Sequence, residues 1–363
     1  MTLDHFAGCL LGGAVGDALG AAVQSMSLAR IRAKFGVAGI REYGRAFGKT
    51  GGVTEATQMT LFTAEGLLRA DNRGRVKGIC SPPEIVHRAY LRWLETQGET
   101  PPYPSSSDRS GWLIEQPALH ARRLPGGTGI SALLTGVQGT IDAPINQSKG
   151  CGGVMRVAPL GLPRMANDPF SLGCDIAAIT HGHPTGFLAA GFFATLIAEI
   201  VRGAPLDRAI SLAREELRQR PNHEECLRAV DSAVRLARSA PATAESVETL
   251  GAGWVAEEAL AIALFCSLTA DRFEDGITLA VNHSGNSAAT GSMTGNVLGA
   301  SLGRAAVPPG WINGLELRAE IETIAADLFR HSDPKNRSGS DYESGVGDAN
   351  VSCETDWARY PGW

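Results

Sequence analysis

Chemistry in this chain concentrates in short polar segments set among small apolar residues. Thr54-Glu55-Ala56-Thr57 follows Gly51-Gly52-Val53 and runs into Gln58-Met59-Thr60-Leu61. Asn286-Ser287-Ala288-Ala289-Thr290 follows Val281-Asn282-His283-Ser284-Gly285. Each reads as the hydroxyl-rich start of an apolar helix, where unpaired backbone N–H groups gather. Glu55 is the one acid in the two segments. A lone carboxyl can protonate a leaving group or stabilise a developing cation. His283 is the titratable candidate beside the second segment. Thr54, Asn286, Ser287 and Thr290 offer hydroxyl and amide groups to a ligand.

A third segment, residues 148–159, reads Ser-Lys-Gly-Cys-Gly-Gly-Val-Met-Arg-Val-Ala-Pro. Its glycines let backbone N–H groups approach an anion, with a helix N-terminus behind them. Ser148, Gly150, Cys151, Gly152, Gly153 and Met155 are its candidate ligand contacts. Cys151 has no His-Asp partner pattern that would make it a nucleophile. His181 and His183 flank Gly182 just before Pro184, an arrangement that suits a brace or a substrate contact better than a metal pair. Asp17, in Gly12-Gly13-Ala14-Val15-Gly16-Asp17-Ala18-Leu19-Gly20, has two readings: a brace of the first helix near the site, or a second carboxylate that assists Glu55. Trp254 could stack on a base, but a place in the core is the expectation. One of Glu257 and Glu258 is expected in an internal hydrogen-bonded pair.

Helices must position these groups. Apolar residues recur at three- and four-residue steps over residues 53–70, and Pro83 opens a helix running through Leu94. Residues 206–217 and 225–237 alternate apolar and charged faces. Residues 253–267 are Ala-rich and uncharged after Glu258, so a central helix is expected; 277–281 and 292–302 flank the Asn286 loop. Residues 187–201 are interrupted by Glu199 and short for a membrane span, which predicts a buried helix. Residues 122–146 look like a loop with one short helix. No alternating β-branched run demands a sheet, so the predicted fold is all-α, a compact multi-helix globule. The 44 glycines mark close helix packing and loops near a ligand. With no internal repeat or linker, residues 1–363 read as a single domain. Residues 331–363 form a polar tail that could be partly flexible, although Trp357, Tyr360 and Trp363 argue that its end docks.

Hydrophobic content of 44% and charged content of 20% are those of an ordinary soluble protein. A net charge of -5 with scattered basic residues argues against a nucleic-acid surface. The seven cysteines are widely spaced and form no Cys-x-x-Cys pair, which argues against a zinc site or disulfide framework and for the cytoplasm. The N-terminus lacks a basic leader before an apolar run. No membrane partner is expected, and the oligomeric state is left open.

Taken in order, residues 12–20, the Thr54 segment, residues 148–159, Thr180-His181-Gly182-His183-Pro184, Gly253-Trp254-Val255-Ala256-Glu257-Glu258-Ala259-Leu260 and the Asn286 segment resemble the ADP-ribosylglycohydrolases, the family of the dinitrogenase-reductase-activating glycohydrolase. The resemblance covers nearly the whole chain. It implies an ADP-ribose-like or nucleotide ligand lying against residues 148–159. It also implies a binuclear Mg²⁺ centre held by Thr-Asp-Asp-Thr and Asp-x-Asp-(Ser/Thr)-Thr. Carried onto this chain, the four aspartates become Glu55, Ala56, Asn286 and Ala288, with Ala289 at the hydroxyl position. Where Gln24 stands, relatives often carry Glu. Two dications need several anionic oxygens, and these residues offer one. The expectation is therefore that the Mg²⁺ pair is lost and no cofactor is required, with at most one weakly held ion at Glu55 and Asn286. Two functions follow: hydrolysis of an N-ribosyl or ADP-ribosyl linkage by Glu55, with Asp17 or His283 assisting, or a catalytically silent protein that binds ADP-ribose or a nucleotide or plays a structural part.

Overall fold

Glycines at four-residue spacing set the architecture. The Leu3–Ala21 helix carries Gly8, Gly12, Gly16 and Gly20, and the Ser287–Leu302 helix carries Gly291, Gly295 and Gly299. In the computed structural model, which describes residues 2–163, 168–332 and 356–362, these faces meet. A Cβ on Gly8 would lie 2.3 Å from the Gly299 carbonyl oxygen, one on Gly12 2.5 Å from that of Gly295, and one on Gly16 2.0 Å from that of Gly291. The two helices therefore run antiparallel with backbone against backbone, closer than any side chain allows. Asn296 Nδ2 clamps them by donating to the Cys9 carbonyl at 2.8 Å.

Around this pair pack the Glu55–Lys77, Pro184–Val201, Ala256–Thr269, Phe273–Val281 and Arg318–Ser332 helices, with Pro82–Thr96, Pro169–Ala178, Leu206–Arg218 and Glu224–Ser239 outside them. The predicted all-α fold is the observed one; among the described residues the strands are the two-residue antiparallel pair Arg45–Ala46 and Lys49–Thr50. The Pro184–Val201 helix is apolar and long enough to cross a membrane, yet 89% of it is buried in the protein. The expected loop over residues 122–146 holds one short helix, Gly127–Leu134. Expected boundaries moved where caps decided them. The helix expected from residue 292 already begins at Ser287, because Asn286 caps it. The helix expected from residue 253 begins at Ala256, because Gly251 and Gly253 adopt φ values of 115° and 72° that end the preceding turn.

The tail expectation needs a correction at its start. His331 and Ser332 belong to the Arg318–Ser332 helix and are buried. Residues 333–355 and Trp363 lie outside the described residues. The described end docks as expected: Tyr360 is buried, its hydroxyl donates to Asp327 at 2.6 Å, and Asp356 pairs with His331 at 3.0 Å. The six described cysteines are unpaired; Cys353 lies outside the described residues.

Candidate functional site

Asp17 organises the first half of the site. It sits in the interior of the Leu3–Ala21 helix, sealed from solvent. Its carboxyl accepts from the backbone N–H of Thr54 at 2.9 Å and of Thr57 at 3.1 Å, and from both threonine hydroxyls at 2.6 Å. Asp17 therefore braces not the first helix, as expected, but the N-terminus of the Glu55–Lys77 helix, where a negative charge meets unpaired N–H groups. Burial pushes its pKa up to about 6 against those four bonds. With both oxygens engaged and the residue sealed from solvent, Asp17 is built as a brace.

Glu55 is the first residue of that helix and is 7% exposed. Its N–H donates to the Arg123 carbonyl at 2.9 Å. Its Oε2 accepts from the Gly126 N–H, at the start of the Gly127–Leu134 helix. Gly126 and Gly129 leave room around the carboxyl: a Cβ on either would lie 3.3 Å and 3.5 Å from its oxygens. Oε1 has no hydrogen-bond partner among the described residues. Burial raises the Glu55 pKa to about 7, with the Asp17 charge adding, while the Gly126 bond and the Arg156 guanidinium pull the other way.

In the second half, Asn286 caps its helix by accepting from the Ala289 N–H at 3.2 Å, and its Nδ2 donates to Cys151 Sγ at 3.1 Å. The Asn286 segment is thereby tied to the glycine loop. Thr290 Oγ1 is spent internally, on His283 Nε2 at 2.9 Å and the Ala280 carbonyl at 2.8 Å. Ser287 is sealed, with its carbonyl against Gly20. His283 is also sealed, and burial pushes its pKa down to about 4. Its ring holds the loop before Asn286 and does not face open space, so it does not stand ready to assist Glu55. Ala56, Ala288 and Ala289 present buried methyl groups. Among the described residues, no three His, Cys, Asp or Glu are placed to share a metal ion.

The glycine loop closes the site. Ser148 Oγ accepts from the Gly150 N–H at 3.2 Å and lies 3.2 Å from Thr128 Oγ1, which links the loop to the short helix behind Glu55. The Cys151 N–H donates to the Trp254 carbonyl at 3.0 Å, and Gly150 pairs with Val255. Burial, with the Glu55 charge adding, pushes the Cys151 thiol up to about 12, so it stays protonated and inert. Met155 is buried and its carbonyl accepts from Thr60 Oγ1 at 3.4 Å. The His181 ring lies over the loop: a Cβ on Gly150 would be 3.4 Å from its Nε2, and one on Gly153 3.5 Å from its Cβ. His183 instead caps the Pro184–Val201 helix, accepting from the Thr185 N–H at 3.2 Å. Gln24 is half-buried, its Oε1 without a hydrogen-bond partner among the described residues, and it makes no hydrogen bond to the other site residues.

Trp254 is a correction. It is 45% exposed beside the loop rather than in the core, because the Gly251–Gly253 turn carries it outward. Both acids of the following helix are engaged: Glu257 pairs with Lys149, and Glu258 accepts from the Ala252 and Gly253 N–H groups at 3.0 Å and 3.1 Å. Gly126, Arg123 and Arg156, which shape the surroundings of Glu55, were not singled out from the sequence. The glycine pair Gly126-Gly127 before a short helix was the available signal for the first.

The ADP-ribosylglycohydrolase family profile matches residues 1–337. An uncharacterized protein of Archaeoglobus fulgidus is 27% identical over 335 residues, covering 90% of this chain and 96% of its own. The ADP-ribosyl-[dinitrogen reductase] glycohydrolase of Rhodospirillum rubrum is 25% identical over 330 residues, covering 88% and 92%. A solved structure described as an ADP-ribosylglycohydrolase-related protein complex superposes with a TM-score of 0.64 at 30% identity, covering 91% of this chain and 99% of that one.

Proposed function

This chain belongs to the ADP-ribosylglycohydrolase family, which supports a glycohydrolase-like function, and from that premise we propose that it hydrolyses an N-ribosyl or ADP-ribosyl linkage of a small nucleotide conjugate with Glu55 as acid and without a binuclear Mg²⁺ centre. The observation that carries this reading is the Glu55 carboxyl: buried, held on one oxygen by the Gly126 N–H, free on the other, and with its pKa raised to about 7. At neutral pH it is divided between acid and carboxylate, the state that general acid catalysis favours.

In this reading the leaving group takes the electron pair of the bond to C1′ and the proton of Glu55. The resulting carboxylate then faces the oxocarbenium-like ribosyl centre and stabilises it. Water adds to C1′ and gives up the proton that restores the acid. Asp17 acts at one remove, holding the helix start that aims Glu55. The glycine loop and the His181 ring receive the phosphates and ribose, and Trp254 offers a ring face at the rim.

The donor set does not fit a pair of dications. Near-octahedral Mg²⁺ needs oxygens free to coordinate. The Asp17 oxygens each accept hydrogen bonds, Asn286 Oδ1 caps its helix, and Thr290 Oγ1 is bonded internally. Glu55, by contrast, keeps a carboxylate oxygen with no hydrogen-bond partner among the described residues. The unpaired cysteines suit a reducing compartment such as the cytoplasm.

One observation favours the second reading, a binder without turnover: the glycine loop is built intact around His181 while the acids are reduced to one. The two readings separate in one assay. The protein is incubated with ADP-ribosyl-arginine, O-acetyl-ADP-ribose and nicotinamide and adenine ribosides, and ribose or ADP-ribose release is followed by chromatography. Release by the wild type that is lost in Glu55→Gln supports the enzyme; tight ADP-ribose binding with no release from any substrate supports the binder.

A further inference from the structure

Thr180 and His181 lie in the turn between the Pro169–Ala178 and Pro184–Val201 helices, and their hydrogen bonds fix where the imidazole proton resides. Arg156 stacks its guanidinium 4.3 Å above the Tyr90 ring and donates from Nη2 to Thr180 Oγ1 at 2.8 Å and to the Ile176 carbonyl at 3.0 Å. A guanidinium has no acceptor, so the Thr180 oxygen receives that bond. The hydroxyl's own proton must then go elsewhere. His181 Nδ1 lies 2.8 Å away. Were Nδ1 protonated instead, a fully buried hydroxyl would hold a hydrogen with no acceptor, a penalty that shifts the tautomer ratio by roughly tenfold or more. Nδ1 is therefore the acceptor, and Nε2 carries the hydrogen.

The turn is held firmly enough for that assignment to persist. Asn146 Nδ2 donates to the Thr180 carbonyl at 2.8 Å, and its Oδ1 accepts from the Gly182 N–H at 3.2 Å. His181 Nε2 makes no hydrogen bond among the described residues and is not sealed from solvent, although the residue is 3% exposed. It points across the glycine backbone, where a Cβ on Gly152 would come within 3.1 Å of it. Burial, with the Arg156 charge adding, pushes the His181 pKa down to about 3, so the ring stays neutral at physiological pH.

We propose that Thr180, backed by Arg156, is a positioning residue that locks His181 as the neutral Nε2–H tautomer, so that this N–H donates to a phosphate or ribose oxygen of the ligand lying on the glycine loop. The role of the N–H rests on the ADP-ribose-like ligand of the preceding reading; the lock itself does not.

The test uses the full chain labelled with ¹⁵N-histidine. Long-range ¹H–¹⁵N correlation spectra of the free protein report the tautomer, and calorimetry reports ADP-ribose binding. The wild type should show the neutral Nε2–H pattern for His181. Thr180→Ser keeps the hydroxyl and should keep both the pattern and, within about twofold, the affinity. Thr180→Val should lose the fixed pattern and bind ADP-ribose roughly tenfold more weakly, with a melting curve to confirm that it folds. A wild-type Nδ1–H pattern, or an unchanged tautomer in Thr180→Val, overturns the lock. A changed tautomer with unchanged affinity overturns the contact. A locked Nε2–H form in a protein that binds no ADP-ribose overturns the ligand assignment and leaves the lock standing.

Discussion

Replacing Glu55 by Gln isolates the electrostatics on which the account depends. Glutamine keeps the shape and an oxygen that can accept from the Gly126 N–H, and it removes only the ionisation. In the wild type, burial raises this carboxyl from 4.5 to about 7. Because the folded-state pKa is raised, the native state favours the protonated form. That contribution to stability is complete below pH 4.5 and is lost as pH rises through 7. At about 1.4 kcal/mol per pH unit the gap amounts to about 3 kcal/mol. The carboxyl is 7% exposed, so solvent screening reduces the figure little. Urea unfolding of both proteins at about pH 4 and about pH 8.5 measures it directly. The two should agree to about 0.5 kcal/mol in acid, and the Gln variant should be more stable by about 3 kcal/mol in alkali. Titrating groups that do not interact with Glu55 cancel in the difference; the Asp17 charge, which adds to the Glu55 shift, is part of what is measured. A difference that is equal at both pH values, or a Gln variant that is the weaker at about pH 8.5, would refute the reasoning that Glu55 is held as a strained, half-protonated acid.

Three further outcomes test the frame around it. Gly16→Ala drives a methyl to 2.0 Å from the Gly291 carbonyl, where only backbone can give way; calorimetric melting should reveal a loss of about 3 kcal/mol, and a neutral result would mean that the two helices are not in backbone contact. Trp254→Ala removes a ring that is 45% exposed, so stability should change by less than about 0.5 kcal/mol, while ADP-ribose affinity should fall about tenfold if the ring stacks on a base; equal affinity would remove Trp254 from the site. Tyr360→Phe strips the hydroxyl that donates to buried Asp327 and should cost about 1–2 kcal/mol in urea unfolding, whereas no cost would mean that the C-terminal end is not held in this way.

What was legible in the sequence follows a physical line. Helix starts were readable only in part, although threonine, asparagine and proline act locally: Thr54 accepts from Ala56 where its segment announced a helix, but the helices expected from Pro83 and residue 292 begin earlier, at Pro82 and, behind the Asn286 cap, at Ser287. The glycines at four-residue spacing announced close packing, but not that Gly12 faces Gly295, since nothing local names a partner nearly three hundred residues away. The environment of Glu55 was illegible for the same reason. Gly126, which holds its carboxyl, lies 71 residues further along the chain. Exposure at Trp254 turned on two left-handed glycines that redirect the chain. Asp17 and His283 were both visible as titratable groups near the segments, yet their hydrogen bonds make one a brace and the other a sealed prop. Sequence spacing reports proximity; whether a polar group still has an oxygen or a proton to offer depends on neighbours brought in by the fold.

Whether Glu55 acts without a pair of metal ions is decided by one rate comparison. Hydrolysis of whichever ADP-ribosyl or ribosyl substrate the protein turns over is measured after exhaustive EDTA treatment and again with Mg²⁺ restored, for the wild type and Glu55→Gln side by side. Wild-type rates should be equal with and without Mg²⁺, and the Gln variant should fall by roughly a hundredfold or more under both conditions. Activity abolished by EDTA and restored by Mg²⁺ would contradict the metal-free reading.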